Sequence, residues 1–274
     1  MTIFLQSTPI EQHNGIFVKR EDLCVVPRYR EMFPRFSKLR GVYEHLRMIQ
    51  SRGYRNIGVL DTVHSQAGWG VAATCSMMGL NCINYHPMRK NEDKIRPYQE
   101  KSLELGAELI AMEATKSAVL WHRAKKHLAE NYDLAYMMPN GLKLHEAYEV
   151  NALEAASTIP ECLCKGTWIF SVSTGSIMAG VMKGLNRICD IRNIMFVAHM
   201  GYSRSEEGLR NYLVDSSGIF NAGITIIDEG YQYADAVAYP APFPCNEYYD
   251  RKAWKWALEN KEMLKTPIVF WNVG

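Results

Sequence analysis

The feature that most constrains this chain is a recurring succession of short apolar runs, polar turns, and longer stretches with small and apolar residues at helical spacing. IGVLD at 57–61 is followed by the turn TVHSQ, then by AGWGVAATCSMMG and by NCINYH. TWIFSV at 167–172 leads through STGS into IMAGVMKGLNRI and on to NIMFVAHM. Short apolar runs bounded by turn residues read as buried strands, and the stretches between them as helices. Residues 94–105 (KIRPYQEKSLEL) read as a helix stopped by Gly106, AELIAM as a further strand, and 116–130 as another helix. Strands that return through helices imply a parallel sheet, so the expected fold class is α/β with two βα-rich portions.

Composition narrows the function classes. With 274 residues, 47% of them apolar, the chain has material for one large or two moderate domains. Its 31 Lys+Arg against 29 Asp+Glu leave a net charge of +2 and no polybasic arm. That balance does not advertise nucleic acid as a partner, and it leaves the possibility open. No window approaches the roughly 20 apolar residues of a membrane span, and MTIFLQSTPIEQ lacks the basic-then-apolar build of a signal peptide, so a cytoplasmic protein without a membrane partner is expected. Seven scattered cysteines read as reduced thiols, and Cys162 and Cys164, without companion ligands, give no metal site.

Three stretches carry possible chemistry. In RFSKLRGVY, Lys38 stands just before a helix-like segment; a lysine there is commonly a solvated charge, and a chemical role needs a free amine able to form a Schiff base with an aldehyde. Ser173-Thr174-Gly175-Ser176 joins an apolar strand to a helix rich in small residues. Free N–H groups and hydroxyls there suit a phosphate monoester, and equally an ordinary capped turn. The loop Thr62 to Gly68 places His64, Ser65 and Gln66 before another helix, where Ser65 reads either as a proton-exchanging group or as an N-cap. Neither a dinucleotide fingerprint nor a nucleoside-triphosphate P-loop is present.

Taken together, these stretches resemble the tryptophan synthase β-like, or fold type II, pyridoxal phosphate enzymes. Thr8-Pro9-Ile10 and Val18-Lys19-Arg20-Glu21-Asp22-Leu23 are similar to the T-P-L and V-K-R-E-D-L signatures of that superfamily, and FSKLRGVY to its S-F-K-x-R-G-A-Y stretch. The Ser65-Gln66 loop resembles the S-N-H segment along the cofactor ring, and SVSTGSIMAG the G-x-G-G-T-x-A-G phosphate loop. Glu229-Gly230-Tyr231, Tyr249-Asp250-Arg251-Lys252-Ala253 and the terminal Phe270-Trp271-Asn272-Val273-Gly274 resemble segments of the branch containing 1-aminocyclopropane-1-carboxylate deaminase and D-cysteine desulfhydrase.

The resemblance implies pyridoxal 5'-phosphate held on Lys38 as a Schiff base, with Lys38 also moving the substrate Cα proton. It implies a phosphate loop at Ser173, Thr174, Gly175, Ser176 and Ile177, and Gln66 beside the ring hydroxyl. Asp250 would face the pyridine nitrogen, while Ser65, Tyr231 and Tyr249 match positions used in catalysis. It further implies a large cofactor domain at 1–43 and 143–274, a smaller inserted domain at 44–142, and a homodimer. Departures from the pattern, namely Gln66 for Asn, Ala67 for His, serine and threonine for loop glycines, and Val273 for Thr, reshape the expected pocket. The leading expectation is a lyase or deaminase acting at the α-carbon of a small free amino acid. The alternatives are a decarboxylase or lyase acting on an amino acid attached to a larger carrier such as a modified nucleotide or nucleic acid, and a catalytically inactive ligand-binding relative.

Overall fold

A computed structural model describes residues 4–88 and 95–274. The elements open with β1 (Ile10–His13), β2 (Ile16–Arg20), α1 (Leu39–Ser51), β3 (Asn56–Leu60), α2 (Ala67–Met78) and β4 (Asn81–Met88). They continue with α3 (Pro97–Glu104), β5 (Glu108–Glu113), α4 (Ser117–Asn131), β6 (Ala135–Met137), α5 (His145–Thr158) and β7 (Gly166–Val172). The last are α6 (Ser176–Ile188), β8 (Ile194–Met200), α7 (Glu206–Ser217), β9 (Gly223–Ile227), α8 (Asp250–Glu259) and β10 (Ile268–Asn272). Each strand and helix expected from periodicity has its counterpart here. The start at Lys94 read for the third helix lies outside the described residues, and α3 begins at Pro97, where proline presets the first helical φ.

The chain divides into two compact units, one of Met1–Val26, Arg35–Arg40 and Ala147–Gly274, the other of Pro27–Pro34 and Gly41–Glu146. The first holds a six-stranded sheet in the order β1-β2-β10-β7-β8-β9, parallel except for the β1–β2 hairpin. Every residue of β7 is buried, as expected of a central parallel strand covered on both faces. Its period of two sorts the core: Trp168, Phe170 and Val172 pack with Met178, Val181 and Leu185 of α6, while Ile169 packs with Val197, Trp254 and Phe270. Gly180 and Gly184 admit the backbone of α5, since a Cβ at Gly184 would stand 2.3 Å from the Ala152 carbonyl oxygen.

The same unit buries four charges around the amino-terminal signature. Lys19 Nζ donates to Glu154 at 2.6 Å, to the Thr8 carbonyl at 2.7 Å and to the Thr158 hydroxyl at 2.8 Å. Arg40 Nε donates to Glu21 at 2.9 Å, and Thr8 Oγ1 donates to Glu21 as well. Two cations thus meet two carboxylates at the start of α1, just after Lys38.

The second unit is a four-stranded parallel sheet in the order β5-β4-β3-β6. Leu120, Ala124 and Leu128 of α4 pack on Leu60, Ile83, Tyr85 and Met137, an (i, i+4) stripe meeting the sheet face.

One expectation is corrected. Cys164 and Cys189 form a disulfide, with Cα atoms 5.2 Å apart, whereas Cys24, Cys75, Cys82, Cys162 and Cys245 are free. Cys164 precedes β7 and Cys189 ends α6, so the strand and the returning helix bring together residues whose separation of 25 gives no sign of pairing.

Candidate active site

Because β2, β10, β7, β8 and β9 run parallel, their carboxyl ends share one edge of the six-stranded sheet, the edge where open α/β sheets place ligands. Val273, Ser173 and Gly201 follow directly from three of these ends, and Asp22 stands two residues past a fourth.

At β10 the chain end ties two expected site residues together. The Val273 N–H donates to Asp250 Oδ1 at 3.4 Å, and the Val273 carbonyl accepts from the N–H of Ser37, the residue before Lys38. Gly274 lies so close to Arg35 that a Cβ would stand 1.9 Å from its carbonyl oxygen. Lys38 itself is half-buried, its Nζ 6.0 Å from the centre of the Phe36 ring.

Asp250 opens α8 and is wholly buried. Burial pushes its carboxyl up to about 8, with Gly274 and Val273 N–H groups opposing and the nearby Asp22 adding to the rise. Asp22 accepts from a bidentate Arg20, at 2.9 and 2.8 Å, and from Asn272 Nδ2 at 2.9 Å. Asp250 Oδ2 has no partner. A buried carboxylate oxygen left without a donor fits a protonated ring nitrogen, which would neutralise it.

At β7 the turn presents donors. Gly175 has φ +87°, a left-handed conformation that suits glycine, and it is the N-cap of the thirteen-residue α6. Ser176 is buried, and its hydroxyl lies 3.1 Å from that of Thr174. The α6 N–H groups and two hydroxyls fit a phosphate monoester. Serine and threonine, at positions where the resemblance leads one to expect glycines, carry hydroxyls that can donate.

At β8, Gly201 binds the neighbouring turns. Its N–H donates to Val172 O at 3.1 Å, and its carbonyl accepts from the buried Lys252 Nζ at 2.6 Å. A Cβ at Gly201 would stand 3.0 Å from the Tyr249 ring. Lys252 Nζ also lies 4.6 Å from the centre of the Tyr231 ring, and burial lowers its pKa. Tyr249 Oη donates to Tyr233 Oη at 3.4 Å. Burial raises the Tyr231 hydroxyl, and Glu229 raises it further. Glu229 lies 2.8 Å from Nε2 of the buried His199, whose pKa burial lowers.

Lys38, the 173–177 turn, Tyr231, Tyr249 and Asp250 therefore fall in one unit, on segments linked through the ends of adjacent strands. Ser65 and Gln66 belong to the other. There Ser65 Oγ accepts from the Ala67 N–H at 3.0 Å, a bond within the turn before α2 and not a cap of the helix, whose N-cap is Gln66, and the buried Gln66 Oε1 has no partner. Reading the sequence assigned no role to Asp22, Asn272, His199 or Lys252. Asp22, Lys252 and Asn272 sit inside motifs already quoted, so the motif positions were the available signal.

Comparison with known proteins adds the following. No protein-family model matches the chain. A protein of Pseudomonas phage M6, named glycyl-dTMP PLP-dependent decarboxylase, is 46% identical over 286 aligned residues, covering 99% of this chain and 100% of its own. Among solved structures, an ACC deaminase homologue superposes with a TM-score of 0.80 at 16% identity, covering 100% of this chain and 90% of that one. The O-acetylserine dependent cystathionine beta-synthase of Helicobacter pylori gives 0.68 at 16%, over 97% and 91%. The threonine deaminase isoform 2 of Solanum lycopersicum gives 0.68 at 14%, over 99% and 84%. Among the described residues no helix is long and apolar enough to cross a membrane.

Proposed function

The chain belongs to the fold type II pyridoxal phosphate-dependent enzymes, and on that premise we propose that it decarboxylates an amino acid carried on a nucleotide, a glycyl unit on dTMP. The observation that carries this reading is the 46% identity, end to end, with the phage decarboxylase. Of the two substrate readings of the sequence, the carried amino acid is the one this relative supports.

When bound, pyridoxal phosphate supplies an aldehyde that captures a primary amine and a protonated ring that accepts the electron pair left when a Cα bond breaks. A substrate for that chemistry needs a primary amine, and to lose carbon dioxide it needs a free carboxylate. Both conditions hold for a glycyl unit joined to its carrier through Cα. In this reading Lys38 Nζ holds the cofactor and afterwards delivers to Cα the proton that replaces the carboxylate. Asp250 Oδ2 accepts from the ring nitrogen and keeps it protonated. The start of α6, with Thr174 and Ser176, holds the cofactor phosphate. Tyr231 and Tyr249, positioned around Gly201, orient the substrate. For Gln66 at the ring hydroxyl and Ser65 at the carboxylate, the support is the family resemblance. A homodimer and a cytoplasmic location belong to the same reading, and sedimentation of the holoprotein tests the first.

The test is to incubate the cofactor-loaded protein with glycyl-dTMP and, separately, with free 1-aminocyclopropane-1-carboxylate and D-cysteine. Carbon dioxide released from glycyl-dTMP, with no ammonia from the free amino acids, is the expected result. Ammonia from a free amino acid and no carbon dioxide from glycyl-dTMP sinks the reading.

A further inference from the structure

Arg204 lies in the turn between β8 and α7, at the sheet edge that also carries Ser173 to Ile177. The bond from Gly201 N–H to Val172 O makes the turns after β8 and β7 leave the sheet side by side. The Nε and Nη2 atoms of Arg204 are shielded from water and have no hydrogen-bond partner. Among the described residues no ion pair joins its guanidinium to a carboxylate. Its electrostatic neighbours are Tyr202 and Tyr212, and burial lowers its pKa against their opposing effect.

Tyr212 connects this arginine to the Gly175 turn. Its hydroxyl lies 2.7 Å from that of Tyr148, and its ring would stand 3.3 Å from a Cβ at Gly175. Arg204 is half-buried, and shielded N–H groups without an acceptor are unfavourable until an anion reaches them. Two unused N–H groups on one planar fork match two oxygens of a phosphate. Three carboxylates of this edge are engaged elsewhere: Asp22 with Arg20, Glu229 with His199, and Asp228 with the Ser203 hydroxyl at 2.6 Å and the Gly230 N–H at 2.9 Å.

We propose that Arg204 anchors a phosphate monoester at this edge, carried either by the nucleotide substrate or by the cofactor. The nucleotide source rests on the carried-amino-acid reading above, and the cofactor source does not.

The experiment uses calorimetry on parent, Arg204→Gln and Arg204→Lys proteins of matching circular dichroism. Holoprotein is titrated with dTMP and with thymidine, which lacks the phosphate, and apoprotein with pyridoxal phosphate. Arg204→Gln is expected to weaken one phosphate ligand about tenfold or more, leaving thymidine unchanged, and Arg204→Lys to weaken the same ligand less. Loss confined to dTMP identifies the nucleotide phosphate, and loss confined to pyridoxal phosphate identifies the cofactor phosphate. If neither ligand is weakened in either variant, the proposal is overturned. Should Arg204→Gln fail to fold, the Arg204→Lys titrations decide alone, by the same criterion. A phosphate effect in a protein that releases no carbon dioxide from glycyl-dTMP removes the proposed reaction and leaves the anchor standing.

Discussion

Each of the two units buries an aspartate beside the start of a helix, and the two carboxylates are used differently. Asp61, just past β3, accepts from the Thr62 N–H at 2.9 Å and the Gly68 N–H at 3.4 Å, with the Asn84 side chain adding a third bond. Burial raises it to about 7. A Cβ at Gly68 would stand 2.6 Å from Asp61 Oδ2, so the helix start is clamped onto the carboxylate. Asp250 is raised to about 8, takes backbone donors on one side only, and keeps Oδ2 without a partner. The raised pKa is common to both and does not separate them. What separates them is acceptor capacity: Asp61 spends its own on the backbone of its loop and on Asn84, and Asp250 leaves one oxygen without a donor, the one the proposed function gives to the ring nitrogen.

The largest effect that bears on this contrast belongs to Lys38, which shares a unit with Asp250. Lys38→Ala is expected to lower turnover of glycyl-dTMP by roughly 10³-fold or more and to abolish borohydride attachment of the cofactor to the chain. Turnover near the parent rate, or labelling of another lysine, breaks the assignment.

Asp250→Asn comes next, with turnover down on the order of 10²-fold. Its sign in stability distinguishes the two carboxylates. An aspartate whose folded pKa of about 8 exceeds its ordinary 3.8 binds a proton more tightly in the folded protein. Its contribution to apoprotein stability is therefore full at acid pH and drains away as pH rises through about 8, by an amount on the order of several kcal/mol. Asp250→Asn should flatten that fall, leaving the apo variant more stable than the parent at alkaline pH. Denaturant unfolding of both apoproteins across the pH range measures it, and a variant less stable at alkaline pH contradicts the unpartnered oxygen.

Asp61→Ala should do the opposite, destabilising by about 1–3 kcal/mol because the Thr62 and Gly68 N–H groups lose their acceptor. Urea unfolding at neutral pH checks it, and an unchanged midpoint means that Asp61 is no clamp. The smallest effect expected is that of Gln66→Ala, a loss of less than about tenfold in cofactor affinity, read by fluorescence titration.

Much of this was legible in the sequence because it is local. The strands at 57–61 and 167–172, the helices after them and the Gly175 turn announce themselves by periodicity and by turn residues within a short window. Lys38 and Asp250 became candidates through the order of motifs along the chain. The surroundings of Asp250 were not legible, since Asn272 meets Asp22 across 250 positions and no local pattern encodes that contact. Arg204 was missed because a loop arginine is ordinarily a solvated charge, and the shielding of its Nε and Nη2 without an acceptor is visible only in three dimensions. The Cys164–Cys189 bond was missed for a similar reason, being set by the return of α6 alongside β7.

The buried foursome of Lys19, Glu21, Arg40 and Glu154 has a consequence for how such a sequence can drift. Its charges sum to zero, and deleting any one leaves an uncompensated charge in the core, at a cost of about 3–5 kcal/mol. That is a large part of the roughly 5–15 kcal/mol by which a folded protein exceeds its unfolded state. Exchanging the whole set for apolar residues carries no such cost, yet every single step toward that exchange does. The cluster is thus an epistatic ratchet, which a lineage leaves only through several simultaneous changes.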